Sequence, residues 1–272
     1  MPWEGGQIFV ADVIVSDDQE SLSTSNAKHI AGEKGKVATG YPSWANNNTL
    51  LFTSDESGYS NPWKFDVARG KASPIFAQPI AQDFAEPMWS LSMFPYVVTD
   101  IAGTQALWTA IKDGRDTFYL VDIEGKIEPR VVETPYVAVH GLKVISRERH
   151  EIVFCGQKID ASEDIVGGSI SSLAFSSIKP PAAANNVELS PSLVSEPRAI
   201  TLTVQPGDSP LHVVYYGPHN PNYAGSSIEG ERPPCVVHLH GGPTANEAQG
   251  LNWKKQYFTT RGWAWCESLS TP

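Results

Sequence analysis

The sequence predicts an all-β first part followed by a shorter α/β part. Short apolar runs separated by turn residues recur through the first 178 residues, which is typical of many short strands. The 22 glycines and 21 prolines supply those turns, since both residues punctuate regular structure. A proline-rich stretch then ends the pattern. We therefore divide the chain into a β part (residues 1–178), a linker (179–198) and an α/β part (199–272).

Four-stranded units repeat in the β part. The turn-then-tryptophan sequences Tyr41–Trp44 and Glu86–Trp89 lie 45 residues apart, and we expect both tryptophans in the cores of their units. Three strands end in an aspartate and a β-branched residue, at Asp12, Asp66 and Asp122, which we interpret as turn-formers. A period of about 40–50 residues with four strands is typical of β-propeller blades. The β part therefore predicts about three and a half blades, with the half blade in the first 32 residues.

The strands of these units follow from alternating or apolar runs bounded by turn residues. The predicted strands are Thr49–Thr53, Asn61–Val67, Tyr96–Asp100, Gln105–Ile111, Thr117–Ile123, Val137–Ile145 and Glu151–Cys155. In the linker, Lys179–Asn186 has no apolar period and predicts extended chain.

The α/β part begins with a predicted hairpin, Ala199–Val204 and Leu211–Tyr216. The apolar run Cys235–Leu239 is typical of a parallel strand buried on both faces. Gln249–Thr260 has helical length, and Gly262 supplies the helix C-terminus. The residues expected on the buried side of this helix are Leu251, Trp253, Tyr257 and Phe258. Trp263–Cys266 begins a further strand.

Composition excludes several classes of function. The net charge of −10, from 20 basic and 30 acidic residues, has the wrong sign for a nucleic-acid partner. No apolar run approaches the ~20 residues of a membrane span, and the N-terminus lacks the basic region of a signal peptide. The three cysteines are odd in number and far apart, so a disulfide framework is not expected. A cytoplasmic location is the expectation.

The sequence His240–Pro243 follows the predicted strand and precedes the predicted helix. This context matches the His-Gly-Gly oxyanion loop of α/β-hydrolases. A backbone N–H there points at the oxygen that becomes negative in the tetrahedral intermediate, and glycine lets the substrate approach closely. Gly242 is the predicted donor. The alternative is an ordinary Gly-Gly turn closed by a proline.

Nearly the whole chain resembles the prolyl oligopeptidase family, and within it the acylaminoacyl-peptidase and dipeptidyl-peptidase V branch. The resemblance rests on the propeller-type units and on three segments, Ser54–Trp63, Pro233–Pro243 and Tyr257–Gly262. It implies a serine peptidase whose propeller covers a Ser-Asp-His site and restricts it to short peptides. It also implies that Gly242 supplies one oxyanion N–H, with His240, Gly241 and Pro243 as motif neighbours. His240 is then not the histidine of the triad.

The sequence departs from the family pattern at its end, Cys266–Pro272. No Gly-x-Ser-x-Gly nucleophile elbow occurs in the 272 residues, and the triad residues follow the oxyanion loop in these folds. We therefore expect the triad beyond Pro272, so that no catalytic residue is assigned within the sequence. The expectation is a truncated chain that is inactive as given.

Other candidate sites are weaker. His238 and His240 alternate on one strand face, but no third zinc ligand follows at a suitable spacing. The acidic run Asp160–Asp164 predicts a solvated loop. No base is expected near Cys266, so it is not a candidate nucleophile. We therefore expect no metal and no cofactor.

Two classes of function remain open. The first is a serine peptidase of the prolyl oligopeptidase family acting on short peptides, with neither nucleic acid nor membrane as a partner. The alternative is a non-catalytic β-propeller interaction module with a vestigial hydrolase segment. A lipase or esterase shares the oxyanion loop, but the propeller counts against it. The oligomeric state is not predicted.

Overall fold

The structure is a computed structural model that describes residues 5–86, 88, 93–178, 189–242 and 247–269. Strands dominate the described chain, which folds into several small sheets. Two compact units are formed. The first contains residues 1–110, 119–131 and 147–149, and the second contains residues 111–118, 132–146 and 150–272. The predicted domain boundary at residues 179–198 stays a prediction.

Four sheets account for the predicted repeats. The first has two antiparallel strands and the other three have four, joined in sequence order by antiparallel pairing. The first sheet contains β1 (Ile8–Val15) and β2 (Leu22–Ala31). The second sheet contains β3 (Thr39–Asn46), β4 (Thr49–Ser54), β5 (Asn61–Asp66) and β6 (Lys71–Pro74). The third sheet contains β7 (Tyr96–Val98), β8 (Gln105–Lys112), β9 (Arg115–Asp122) and β10 (Arg130–Val132). The fourth sheet contains β11 (Ala138–Ser146), β12 (Glu151–Gln157), β13 (Asp164–Ser169) and β14 (Ala174–Ser177). The predicted count of three and a half units matches three four-stranded sheets and one two-stranded sheet.

Two of the three repeated aspartates form turns as predicted. The Asp66 carboxylate accepts a hydrogen bond from the backbone N–H of Arg69, and the Asp122 carboxylate accepts from that of Lys126. Asp12 instead lies within β1 and accepts from the Asn26 side chain of β2. Asp12 therefore joins two strands and does not close a turn.

Aromatic rings fill the core of the first unit. The ring of Tyr96 stacks on Trp108, and Phe84 contacts both Trp108 and Tyr119. The expectation that Trp44 lies in this core is wrong, since its side chain is 46% exposed. Register shifts on both sides of Trp44 interrupt the alternation of β3 and bury Ala45 in its place. Trp89, the other predicted core tryptophan, lies outside the described residues.

The fifth sheet is mixed. Its strands are β15 (Pro197–Val204), β16 (Ser209–Tyr216), β17 (Cys235–His238) and β18 (Ala264–Ser268), in the spatial order β15-β16-β18-β17. β17 pairs with β18 in parallel, and the other pairs are antiparallel. β17 is an edge strand, and Val237 is 65% exposed while Val236 packs into the sheet's core. The prediction that this strand is buried on both faces is therefore wrong among the described residues, because only one face is covered.

The predicted helix is shorter than expected. Helix α1 spans Trp253–Thr259, and the Asn252 side chain caps its N-terminus by accepting from the N–H groups of Lys254 and Lys255. The face of α1 that is buried carries Lys255, Gln256 and Thr259. The expected burial of Trp253 and Tyr257 is wrong, since both are exposed. Gly262 follows the helix at a φ of +86°, as predicted for a helix C-terminus.

The segment that precedes the fifth sheet contacts α1 at its C-terminal end. Residues 179–188 of the predicted linker lie outside the described residues, and a short 3-10 helix follows at Pro191–Leu193. Ser195 is buried, and its backbone N–H donates to the Gln256 side chain of α1 at 2.8 Å. The single α-helix in the described part of the chain is too short to cross a membrane.

Candidate oxyanion loop

The His-Gly-Gly sequence lies at the carboxyl end of β17. Val236 and His238 of this strand are opposite Trp265 and Glu267 of β18, so their side chains share the face that α1 covers. The strand ends at His238, and the chain then turns through His240, Gly241 and Gly242. Pro243, the last residue of the predicted motif, lies outside the described residues.

Backbone conformation explains the glycine at position 242. Gly242 has a φ of +77°, a value that a residue with a Cβ atom rarely adopts. A Cβ atom on Gly242 meets nothing within 4 Å among the described residues, so lack of space is not the reason for glycine here. The ring Nδ1 of His240 lies 3.0 Å from the carbonyl oxygen of Gly242. When that nitrogen is protonated, it donates to the carbonyl and closes the turn.

A buried ion pair joins α1 to β18, the strand beside the one that leads into the loop. Lys255 of α1 is 2% exposed and Glu267 of β18 is 1% exposed, with 2.5 Å between Nζ and Oε2. The indole N–H of Trp265 donates to the other carboxylate oxygen of Glu267 at 3.0 Å. Lys255 also donates to the hydroxyl of Tyr216 and to the carbonyl of Ala248. The pair therefore fixes α1 against the sheet.

Tyr216 completes the polar cluster. Burial, together with the charges of Glu267 and Glu247, raises the pKa of its hydroxyl well above the ordinary value. The hydroxyl therefore stays neutral and accepts the hydrogen bond from Lys255. Sequence analysis missed this cluster. A lysine in the predicted helix and a glutamate directly after the apolar run Trp263–Cys266 were the available signal, because such charges are rarely buried unpaired.

His238 lies between two carboxylates. Its Nδ1 atom is 3.6 Å from Glu247 and 3.8 Å from Glu267, and it is buried without a hydrogen-bond partner among the described residues. Its ring stacks on Trp265. His240 does not join this group, so the structure does not bring the two histidines together as metal ligands. The ammonium of Lys255, bound to Glu267, disfavours a second cation there.

The segment before α1 docks on other parts of the second unit. The backbone N–H of Gln249 donates to the carbonyl of Gly114, and that of Leu251 donates to the carbonyl of Lys158. The side chain of Gln157 donates to the carbonyl of Leu251 at 2.8 Å. These bonds explain why the helix starts at residue 253, because residues 249–251 bind other segments through their backbone.

The comparisons with known proteins give matches in structure only. No family model and no curated protein matches the sequence. A puromycin-hydrolysing peptidase from Mycobacterium tuberculosis is 25% identical, with a TM-score of 0.80 over 98% of this chain and 38% of its own. An acylaminoacyl peptidase from Pyrococcus horikoshii is 13% identical, with a TM-score of 0.56 over 98% of this chain and 39% of its own. Oligopeptidase B from Leishmania major is 9% identical, with a TM-score of 0.62 over 98% of this chain and 35% of its own.

The chain thus spans less than two fifths of the length of these solved structures. The last two are similar at a level that shows the fold alone. All three are enzymes of the prolyl oligopeptidase family. The resemblance to the prolyl oligopeptidase family that the motifs indicate is therefore confirmed, since this chain follows the fold of that family's enzymes over almost its whole length.

Proposed function

We propose that this chain is the propeller and oxyanion-loop portion of a serine peptidase that hydrolyses short peptides. One observation carries the proposal. Gly242 lies at a φ of +77° just after a parallel strand and before a helix, which is the context of the α/β-hydrolase oxyanion loop. The mixed fifth sheet and α1 are then the first elements of the hydrolase domain. The first four sheets are propeller blades.

In this proposal, the backbone N–H of Gly242 donates to the oxygen that becomes negative when the substrate carbonyl is attacked. Losing one such donor lowers kcat by about 10²–10³-fold in serine peptidases. The second donor is the N–H of the residue after the nucleophile. No Gly-x-Ser-x-Gly sequence is present in the 272 residues. The proposal therefore assigns no nucleophile and no base within these residues.

The buried cluster supports the proposal because it holds the strand before the loop and the helix after it. Glu267 and His238 lie opposite each other on the paired strands β18 and β17. Lys255 ties Glu267 to the helix that follows the loop. Both ends of the loop are thus attached to one rigid group of residues. A donor that is already in place when charge develops is worth more than one that must reorganise.

The substrate class follows from the resemblance. The resemblance implies a propeller that covers the site and restricts it to short peptides. The mycobacterial relative carries the name of a puromycin-hydrolysing peptidase, and another relative is an acylaminoacyl peptidase. We propose an amide bond near the end of a short peptide as the scissile bond. The alternative is a non-catalytic module that binds a partner through its blades.

The test compares the 272-residue chain with the protein purified from its natural source by an antibody raised against this chain. Both are treated with a fluorophosphonate probe, and hydrolysis of puromycin, acylaminoacyl and dipeptidyl chromogenic substrates is measured. We expect labelling and hydrolysis with the source protein and neither with the 272-residue chain. Labelling of neither would favour the non-catalytic module, and hydrolysis of long-chain acyl esters alone would favour a lipase.

The role of Gly242 has a matched control in the same chain. Gly230 also has a positive φ, +75°, and open space around its Cβ position. Valine at either position introduces similar backbone strain. We expect Gly242→Val in the active protein to lower kcat by about 10²-fold or more, and Gly230→Val to leave kcat near the wild-type value. Equal kcat values for the two variants would remove Gly242 from the site.

A further inference from the structure

Three potential metal ligands meet on the fourth sheet. His140 of β11 and Cys155 of β12 are direct cross-strand partners, so their side chains share a face of the sheet. Cys155 is also opposite Ile165 of β13, and Glu163 lies two residues before Ile165, in the loop that precedes this strand. The imidazole, thiol and carboxylate atoms all lie within 4.8 Å of one another. These three residues are called the His-Cys-Glu cluster below.

The spacing of this cluster suits a tetrahedral ion. The Nε2 atom of His140 and the Oε2 atom of Glu163 are 3.4 Å apart. Two ligands at about 2.05 Å from a tetrahedral ion are about 3.3 Å apart. The pair is therefore already at the separation that a shared ion requires. The Sγ atom of Cys155 lies within 4.8 Å of both of these atoms and supplies the third corner.

The donor set selects the kind of ion. Nitrogen, sulfur and carboxylate oxygen together are ligands of zinc, whereas calcium and magnesium take oxygen ligands. The side chains of His140 and Glu163 are 47% and 51% exposed, so a fourth position faces solvent. We propose that His140, Cys155 and Glu163 bind one Zn²⁺ ion, with water in the fourth position, and that this ion ties the loop before β13 to the sheet.

A second group of potential metal ligands is a weaker candidate for a metal site. His238, Glu247 and Glu267 also lie within 4.8 Å of one another. The carboxylate of Glu267 already binds the ammonium of Lys255 at 2.5 Å, and that positive charge repels a metal ion. The His-Cys-Glu cluster has no such competitor among its own members. Its glutamate comes from the acidic run at residues 160–164, which the sequence predicted only as a solvated loop.

The experiment uses Co²⁺ as a spectroscopic substitute for Zn²⁺. The 272-residue chain is freed of metal under reducing conditions and titrated with Co²⁺. We expect one ion per chain and a thiolate-to-cobalt charge-transfer band, which an equivalent of Zn²⁺ then removes. Cys155→Ser should abolish the band, whereas the double variant Cys235→Ser/Cys266→Ser should keep it. Absence of the band in the wild-type chain, or its persistence in Cys155→Ser, would overturn the proposal.

Substitutions at the two half-exposed ligands separate an effect on metal binding from an effect on folding. Glu163→Gln and His140→Gln change side chains that are about half exposed, so the folded structure, followed by circular dichroism, should persist. We expect each to weaken Co²⁺ binding about tenfold or more. His238→Gln should bind Co²⁺ as the wild type does. Wild-type affinity in both Glu163→Gln and His140→Gln, or loss of binding in His238→Gln, would place the ion elsewhere.

Discussion

Removing Lys255 tests whether the buried carboxylate of Glu267 depends on Lys255 as its partner. At 2.5 Å and an effective dielectric constant of about 20, the attraction between two unit charges is about 7 kcal/mol. Removing two ions from water costs several kcal/mol each, so the net contribution of the pair is small. Lys255→Met removes the attraction but leaves the carboxylate of Glu267 buried with the Trp265 indole as its remaining donor in this cluster. We expect the free energy of unfolding to fall by about 3–5 kcal/mol.

The measurement is urea unfolding followed by tryptophan fluorescence, with the m-value checked for each variant. Lys254→Met is the matched control, because Lys254 is the neighbouring helix residue and is exposed, and we expect it to change stability by less than about 1 kcal/mol. The double variant Lys255→Met/Glu267→Leu removes both charges and should lie within about 2 kcal/mol of the wild type. The reasoning fails if Lys255→Met behaves like Lys254→Met, or if the double variant is as unstable as the sum of its single variants.

Three further outcomes follow from individual residues. Asn252→Ala removes the side-chain cap of α1 and should lower stability by about 1 kcal/mol in the same urea assay; Asn252→Asp, which keeps the acceptor oxygen, should not. Phe84→Ala, at a ring that is fully buried against Trp108, should cost about 3–5 kcal/mol, and a loss below about 1 kcal/mol would place Phe84 outside the core. Burial and the neighbouring Cys235 and Glu267 raise the pKa of the Cys266 thiol, so its thiolate forms at higher pH in the folded chain than in urea. Alkylation of Cys266 followed by mass spectrometry should therefore be slower in the folded chain at each pH, and equal rates would contradict this environment.

The repeat pattern was predictable because it is local. Alternation, turn residues and the aspartates at positions 66 and 122 act on their immediate neighbours, and the structure places strands and turns where they indicate. Trp44 shows where local reasoning fails. A register shift in β3 turns its side chain outward, and nothing in the residue types around it signals that shift.

The candidate loop was identified from its motif, the His-Gly-Gly sequence between a predicted strand and a predicted helix, and the role of Gly242 as a donor stays a prediction. By itself the sequence therefore determined the repeated units, the strand before His240, the position of Gly242 and the resemblance to the family. Tertiary structure alone decided which charges meet. Lys255 and Glu267 are twelve residues apart, and Glu163 lies far along the chain from His140. Whether such side chains touch depends on strand order, register and helix phase, which no single segment of the sequence specifies.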